Sequence, residues 1–267
     1  MSFVKRIGPC VLPDYFYITI KTIVTGKSKH KTKYNSMKIA VFGTGIVGQV
    51  IANRLTGLGH SVIIGTRDVE KTMSRTSKDA YGNEPFSVWY EQNKTAIRLG
   101  TFAEAAASSE LIFNCTMGQA SVQALHDAGE NNLSEKILVD VSNPLDFSKG
   151  TPPTLSPGNT DSLGELIQRT FPKLKVVKTL NTMNCFLMVN PSAIADDHNV
   201  FMSGNDIAAK SVVKDILKSF GWNERTIIEL GDITSARCTE QLLPIWIRLY
   251  GALRNPMFNF RIVIGQV

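Results

Sequence analysis

Three glycines and a short basic cluster are the first residues in this chain whose types and spacing could do chemistry. Gly43, Thr44, Gly45, Ile46, Val47 and Gly48 form a G-x-G-x-x-G run. Such spacing lets a chain turn tightly out of a strand, bring its backbone against a pyrophosphate and pack the following helix closely. The free amides of the first helical turn then face the anion. Further on, Thr66, Arg67 and Lys71 stand near the point, about 20 residues past the glycines, where an acid would hold a ribose 2′-hydroxyl. A hydroxyl followed by a guanidinium suits a 2′-phosphate instead, because Arg presents a planar fork of donors, and Lys71 adds a second positive charge. These residues predict NADP(H) over NAD(H). Asp68 is the complication, since its charge could turn toward the site and weaken that preference.

A second set of candidates lies where later strands are expected to end: Thr116-Met117-Gly118, Ser142-Asn143-Pro144 and Asn181-Thr182. Small polar groups at three strand ends make a crevice for amide and ribose hydroxyls, but none of them is a His, Lys or carboxylate. His60, His126 and His198 read as surface residues, His60 at the wrong end of its strand. Glu240 sits in an otherwise apolar helix, either as an exposed charge or as a buried carboxylate bonding loop amides. Arg237, three residues before it, is its expected partner. Reduction of a carbonyl needs a general acid or base beside it. A hydride passed between nicotinamide and another planar ring needs mainly close stacking and exclusion of water. The residues fit the second chemistry better.

These positions have to be held by alternating strands and helices. Lys38 to Phe42 reads as a buried strand, the apolar pattern from Val47 to Leu58 as a helix, and Ser61 to Gly65 as the strand closing a βαβ unit. Further strands are expected at 97–101, 111–115, 137–141, 175–180, 199–203 and 226–230. Helices are expected at 69–77, 87–94, 102–108, 122–128, 162–170, 208–220 and 235–253, and a Pro/Gly/Ser-rich loop at 146–160. Pro244 should kink the last helix or leave a carbonyl unpaired. Repeated strand–helix alternation argues an α/β fold with a doubly wound parallel sheet. The expected division is a basic N-terminal extension over 1–36, disordered or not native, a Rossmann NADP-binding domain over 37–198, and a small, mainly helical C-terminal domain over 199–267.

Composition narrows the function classes. The net charge of +6 belongs to residues 1–36, which hold seven of the 29 basic residues and one of the 23 acidic ones. The remainder is balanced, so neither nucleic acid nor a membrane surface is an expected partner. Within the extension, residues 14–24 could form a strand or hairpin arm. Four scattered cysteines without a C-x-x-C pair argue against a disulfide framework or a metal site, and for reduced thiols in the cytoplasm. No apolar run approaches the roughly 18 residues of a membrane span.

Taken together, four segments resemble one family. Gly43 to Gly48, Gly65-Thr66-Arg67-Asp68 with Lys71, Val176 to Thr182, and Ser235 to Trp246 resemble the NADP-dependent coenzyme F420 reductases, in the family's order. The resemblance implies that Thr66, Arg67 and Lys71 hold the 2′-phosphate and that Asn181 lies beside the nicotinamide. The helix carrying Glu240 would cover a hydride-transfer pocket, and the protein would be a homodimer. Gly43 to Gly48, Thr116, Met117 and Asn143 complete the expected NADPH contacts, with Asn181 and Glu240 as catalytic candidates. Two departures leave the small-molecule acceptor open between F420 and a flavin: an insertion around Tyr81 to Lys94, and Asn181 where a histidine is expected. The alternatives are reduction of a small carbonyl or imine, and a non-enzymatic NADPH sensor.

Overall fold

The computed structural model describes residues 35–78 and 82–265. The expected arm at 14–24, Cys10, Tyr81 and all of the extension before Asn35 lie outside them. The fold begins with β1 (Lys38–Phe42), α1 (Ile46–Gly57) and β2 (Ser61–Thr66), followed by α2 (Val69–Met73) and α3 (Phe86–Asn93). Then come β3 (Ile97–Thr101), α4 (Phe102–Ala107), β4 (Leu111–Asn114), α5 (Gly118–Ala128), α6 (Glu130–Leu133) and β5 (Ile137–Asp140). A small hairpin, β6 (Leu145–Asp146) with β7 (Thr154–Leu155), precedes α7 (Leu163–Thr170), β8 (Lys175–Thr179) and α8 (Cys185–Val189). The chain finishes with β9 (Val200–Gly204), α9 (Ile207–Phe220), β10 (Ile227–Glu229) and α10 (Ala236–Leu253).

Eight strands form one sheet in the order β10-β9-β8-β5-β4-β1-β2-β3. The six from β3 to β8 are parallel, and their order is that of the dinucleotide-binding Rossmann sheet. β9 runs antiparallel to β8, and β10 parallel to β9. The boundary expected from sequence, between residues 198 and 199, falls just ahead of β9, and the strands on either side of it, β8 and β9, belong to one sheet. α10 supplies the C-terminal helical portion.

Alternation along the strands explains the double winding. Ile39, Val41, Leu111, Phe113, Val139 and Val177 face one core with Ile51, Leu55, Val213 and Leu217 of α1 and α9. Ala40, Phe42, Ile112, Leu138 and Val176 face a second core with Ala105, Leu125 and Ile167 of α4, α5 and α7. A strand buried on both faces is apolar at most positions, which is why these strands read as near-continuous apolar runs, with buried polar residues only toward their carboxyl ends.

Several local details depart from the sequence expectations. α2 stops at Met73, and α5 starts at Gly118 rather than 122. β6, from Leu145, and β7 pair across the stretch 146–160 expected to be loop, and α8 is an element the sequence pattern does not predict. α10 keeps its helical assignment through Pro244, which has no N–H to offer the carbonyl of Glu240.

Candidate functional site

The glycine run forms the turn between β1 and α1. Gly43 has φ +114°, and a Cβ there would lie 2.7 Å from the carbonyl oxygen of Cys115, beyond the end of β4. A Cβ on Gly48 would lie 2.2 Å from the oxygen of Gly43, so helix and turn can approach this closely only without a side chain. Gly45 caps α1, is exposed, and has nothing within 4 Å of where its Cβ would be. The first turn of α1 has no side-chain cap and no acidic residue. The first amides of α1, which have no partner within the helix, and the positive end of the helix dipole therefore lie at the glycine turn without a side-chain cap.

The basic cluster lies beside this turn, because Gly43 N donates to Gly65 O at 3.0 Å and so ties the two strand ends together. Thr66 is buried, its hydroxyl 2.8 Å from that of Thr72. Arg67 and Lys71 are exposed, and among the described residues neither side chain makes a hydrogen bond or an ion pair. Asp68 caps α2, accepting from Lys71 N at 2.9 Å. Its carboxylate is thus engaged by its own helix.

The ends of β4, β5 and β8 meet in a continuous polar network. Thr116 Oγ1 donates to Asn114 Oδ1 at 2.6 Å and lies 2.8 Å from Ser121 Oγ. Asn114 Nδ2 reaches Asp140 Oδ1 at 2.9 Å, and Ser142 Oγ donates to the same oxygen at 2.6 Å. Asn143 Nδ2 donates to the Asn181 carbonyl at 2.9 Å, which turns Asn143 Oδ1 toward Asn181 Nδ2, also at 2.9 Å. Asn181 Oδ1 is left as a buried acceptor without a partner among the described residues. An unmade buried hydrogen bond costs about 1–3 kcal/mol, so this atom marks a place for a donor.

Two residues that sequence reasoning missed shape this corner. Leu180, just before Asn181, is buried with φ +63°. A branched side chain in the left-handed region costs roughly 1–3 kcal/mol, and this backbone turn follows the end of β8 directly. Nothing in the string Val-Lys-Thr-Leu-Asn signals it. Lys178 is the other: it is fully buried, with Nζ 2.9 Å from Asp140 and 2.7 Å from Glu240, and it also donates to Ser142 O. Burial pushes its pKa down, but the carboxylates of Asp140 and Glu240 more than offset this, so it stays above the usual lysine value and charged.

Glu240 is therefore the buried carboxylate rather than the exposed charge. It accepts from Leu163 N at 2.9 Å and Gly164 N at 3.1 Å, at the start of α7. Its ionic partner is Lys178, not the expected Arg237, which instead makes a forked pair with Glu165. The helical neighbour at i−3 loses to a strand residue because Glu240 lies on the buried side of α10, which packs on α7, and there reaches Lys178. His60 and His198 are buried, contrary to the surface reading. His60 accepts from Met37 N, burial lowers its pKa, and it precedes β2. His198 is held between Pro191 O and Asn259 against Trp222. His126 is exposed on α5.

Cys115, Cys185 and Cys238 are free thiols. Burial, helped by Asp140 and Cys185, raises the pKa of Cys115, and burial pushes Cys185 up to about 12. Neither is poised as a thiolate nucleophile. Among the described residues no group of three or more His, Cys, Asp or Glu is placed to hold a metal ion, and no helix is long and apolar enough to cross a membrane.

Strand order, glycine turn and polar strand ends define a Rossmann-type α/β protein whose crevice opens where the strand order reverses. Residues 38–144 match the family described as NADP oxidoreductase, coenzyme F420-dependent. The crystal structure of a candidate F420-dependent NADP-reductase from Arthrobacter sp. FB24 is 56% identical with a TM-score of 0.80, covering 86% of this chain and 100% of its own. The F420-dependent NADP reductase of Methanothermobacter marburgensis is 35% identical over 43% of this chain and 48% of its own length. Metalloreductase STEAP3 of Rattus norvegicus is 29% identical over 78% of this chain and 38% of its own length. This chain thus spans half or less of the curated relatives it matches. It belongs to the F420-dependent NADP oxidoreductase family.

Proposed function

We propose that the protein is an NADP-dependent oxidoreductase that passes a hydride between NADP(H) and a planar acceptor, an F420-like deazaflavin or a flavin. The observation that carries this is the buried, unpartnered Asn181 Oδ1 at the end of β8, three strands along the sheet from the glycine turn. At about 4.8 Å per strand that is roughly 14 Å, a span suited to an extended dinucleotide lying across the strand ends. The residues fit the cofactor. Gly45 leaves room for the pyrophosphate at the start of α1, and Arg67 and Lys71, unpaired among the described residues, are cations beside the 2′-phosphate position. Asn181 Oδ1 is an acceptor suited to the carboxamide N–H group.

When bound, NADPH would supply a hydride, two electrons with one proton, to an acceptor ring whose second proton would come from solvent. The protein's part is to bind, orient and exclude water. Gly43 to Gly48 hold the diphosphate through backbone amides, and Thr66, Arg67 and Lys71 select the phosphorylated ribose. Thr116 and Asn143 line the crevice, while the side chain of Met117, 77% exposed beyond β4, covers the ring and keeps water out. Asn181 would hold the carboxamide of the nicotinamide through its free Oδ1. Glu240 acts from beneath as a positioning group, since its contacts are all inside the protein.

None of the strand-end side chains Thr116, Ser142, Asn143, Asn181 and Thr182 titrates near neutral pH, which favours ring-to-ring transfer over carbonyl reduction. On the same view the protein is a cytoplasmic homodimer, and a monomer at micromolar concentration in sedimentation equilibrium would remove the dimer. The decisive experiment is stopped-flow oxidation of NADPH with F420, FMN, FAD and a panel of small carbonyls and imines. Rapid oxidation by one ring acceptor is expected. Oxidation by a carbonyl or imine alone would replace the proposal with the corresponding reductase. Tight NADPH binding without oxidation by any of them would make the protein a sensor.

A further inference from the structure

A fully buried lysine held by two carboxylates is an expensive choice for a strand interior. Burying charges costs several kcal/mol each, and replacing such groups with apolar side chains of similar volume is often neutral or stabilising. Stability alone therefore gives little reason for Lys178, and its contacts give a better one. Asp140 belongs to β5, Glu240 to α10, and the Ser142 carbonyl to the turn leaving β5. Two negative charges meet one positive charge here. The surplus is met by the Leu163 and Gly164 amides on Glu240, and by Asn114 and Ser142 on Asp140.

Each contact leads to the crevice by a short path. Through Ser142, Lys178 holds the turn that carries Asn143, whose amide fixes Asn181. Along its own strand, Lys178 is two residues before the strained Leu180 and three before Asn181. The orientation that leaves Asn181 Oδ1 free depends on both ends of the Asn143–Asn181 pair being held. We infer that Lys178 is a positioning residue that, clamped between Asp140 and Glu240, keeps the Asn143–Asn181 amide pair in its ligand-ready orientation and couples α10 to the crevice. This inference rests on the NADP reading above for what the pair receives.

The test compares the wild-type chain with Lys178→Met, Lys178→Arg and a neutral triple variant, Asp140→Asn with Lys178→Met and Glu240→Gln. NADPH affinity is measured by calorimetry, and backbone hydrogen exchange over residues 140–145 and 180–184 is measured without nucleotide. Lys178→Met should bind NADPH roughly tenfold more weakly or worse, the equivalent of one ligand hydrogen bond, and exchange faster in both segments. Lys178→Arg should recover most of both properties. The triple variant should regain a cooperative urea transition without regaining affinity, and it carries the test if Lys178→Met does not fold. Wild-type affinity and exchange in the triple variant would overturn the inference, leaving Lys178 a matter of charge balance alone. Should the wild type not bind NADPH, the cofactor reading fails. The exchange comparison then still decides whether Lys178 holds the two turns, and unchanged exchange refutes it.

Discussion

The two ends of the crevice are built on opposite principles. At the β1–β2 end the proposed working parts are backbone amides at the start of α1 and two exposed cations, Arg67 and Lys71, with no side-chain partner among the described residues. At the β4–β5–β8 end nearly every polar group is buried and engaged, from Ser121 through Asn114, Asp140 and Lys178 to Glu240. A phosphate brings its own charge and is met adequately by loosely held donors that pay little desolvation. On the proposed reading an uncharged carboxamide has to be met by atoms fixed in advance, and Asn181 is held by its paired hydrogen bonds with Asn143. Affinity and cofactor choice should therefore reside at the exposed end, and stability together with orientation at the buried one.

Substitutions can break that contrast, and the largest effect is expected at the buried end. Glu240→Ala leaves Lys178 short of a partner and two amides of α7 unsatisfied. It should lower the unfolding free energy in urea by about 3–5 kcal/mol. A loss under 1 kcal/mol would show that the network is not a structural unit. Gly48→Ala is the exposed end's exception, because its Cβ would meet backbone. It should cost about 1–3 kcal/mol of stability by overpacking and reduce nucleotide binding as well, both read on the same preparation.

Arg67→Ala should behave in the opposite way from Glu240→Ala. Losing a charged hydrogen-bonding partner is expected to weaken NADPH by about 1.5–3 kcal/mol, with NADH binding little changed and stability within about 0.5 kcal/mol. Equal losses for NADPH and NADH in calorimetry would remove the 2′-phosphate assignment. The smallest effect concerns pH. The Arg237 hydrogen bond holds Glu165 below the usual carboxylate range, against the opposing effect of burial. Its contribution is present above the ordinary Glu pKa of about 4.3 and is lost as pH falls through the lowered folded value. Urea titrations between pH 6 and pH 3 should thus show a steeper acid loss in wild type than in Glu165→Gln, and parallel curves would rule this pair out as a source of acid sensitivity.

How much of this could be read beforehand follows the same contrast. The turn from Gly43 to Gly48, the first two strands and the Thr66-Arg67-Lys71 cluster are local, and every contact that defines them lies within one βαβ unit. The strand ends at Thr116, Asn143 and Asn181 were visible as polar residues closing apolar runs, but their mutual bonds were not. Glu240 was legible as an anomaly in an apolar helix. Its partner was misread because an i,i+3 neighbour is the only ionic partner that helix geometry alone proposes. Lys178 and Leu180 carried no signal, since a lysine within a β-branched run and a leucine at a strand end are both ordinary. His60 and His198 looked exposed for lack of any view of what packs on them.

The sequence by itself determined the strand–helix alternation, the glycine turn and the Thr66-Arg67-Lys71 cluster proposed to meet the ribose phosphate, because short-range periodicity and steric rules act within a few residues of one another. Only the tertiary structure decided that Asp140, Lys178 and Glu240 form one buried cluster and that Leu180 takes a left-handed turn. The sheet also placed the amide pair Asn143–Asn181 at the crevice with one acceptor unspent. Those features depend on residues as many as 76 and 77 positions apart, such as Glu240 with Gly164 and Leu163. Burial makes their charges and hydrogen bonds strong, and burial is a property of the whole packed sheet rather than of any segment in it.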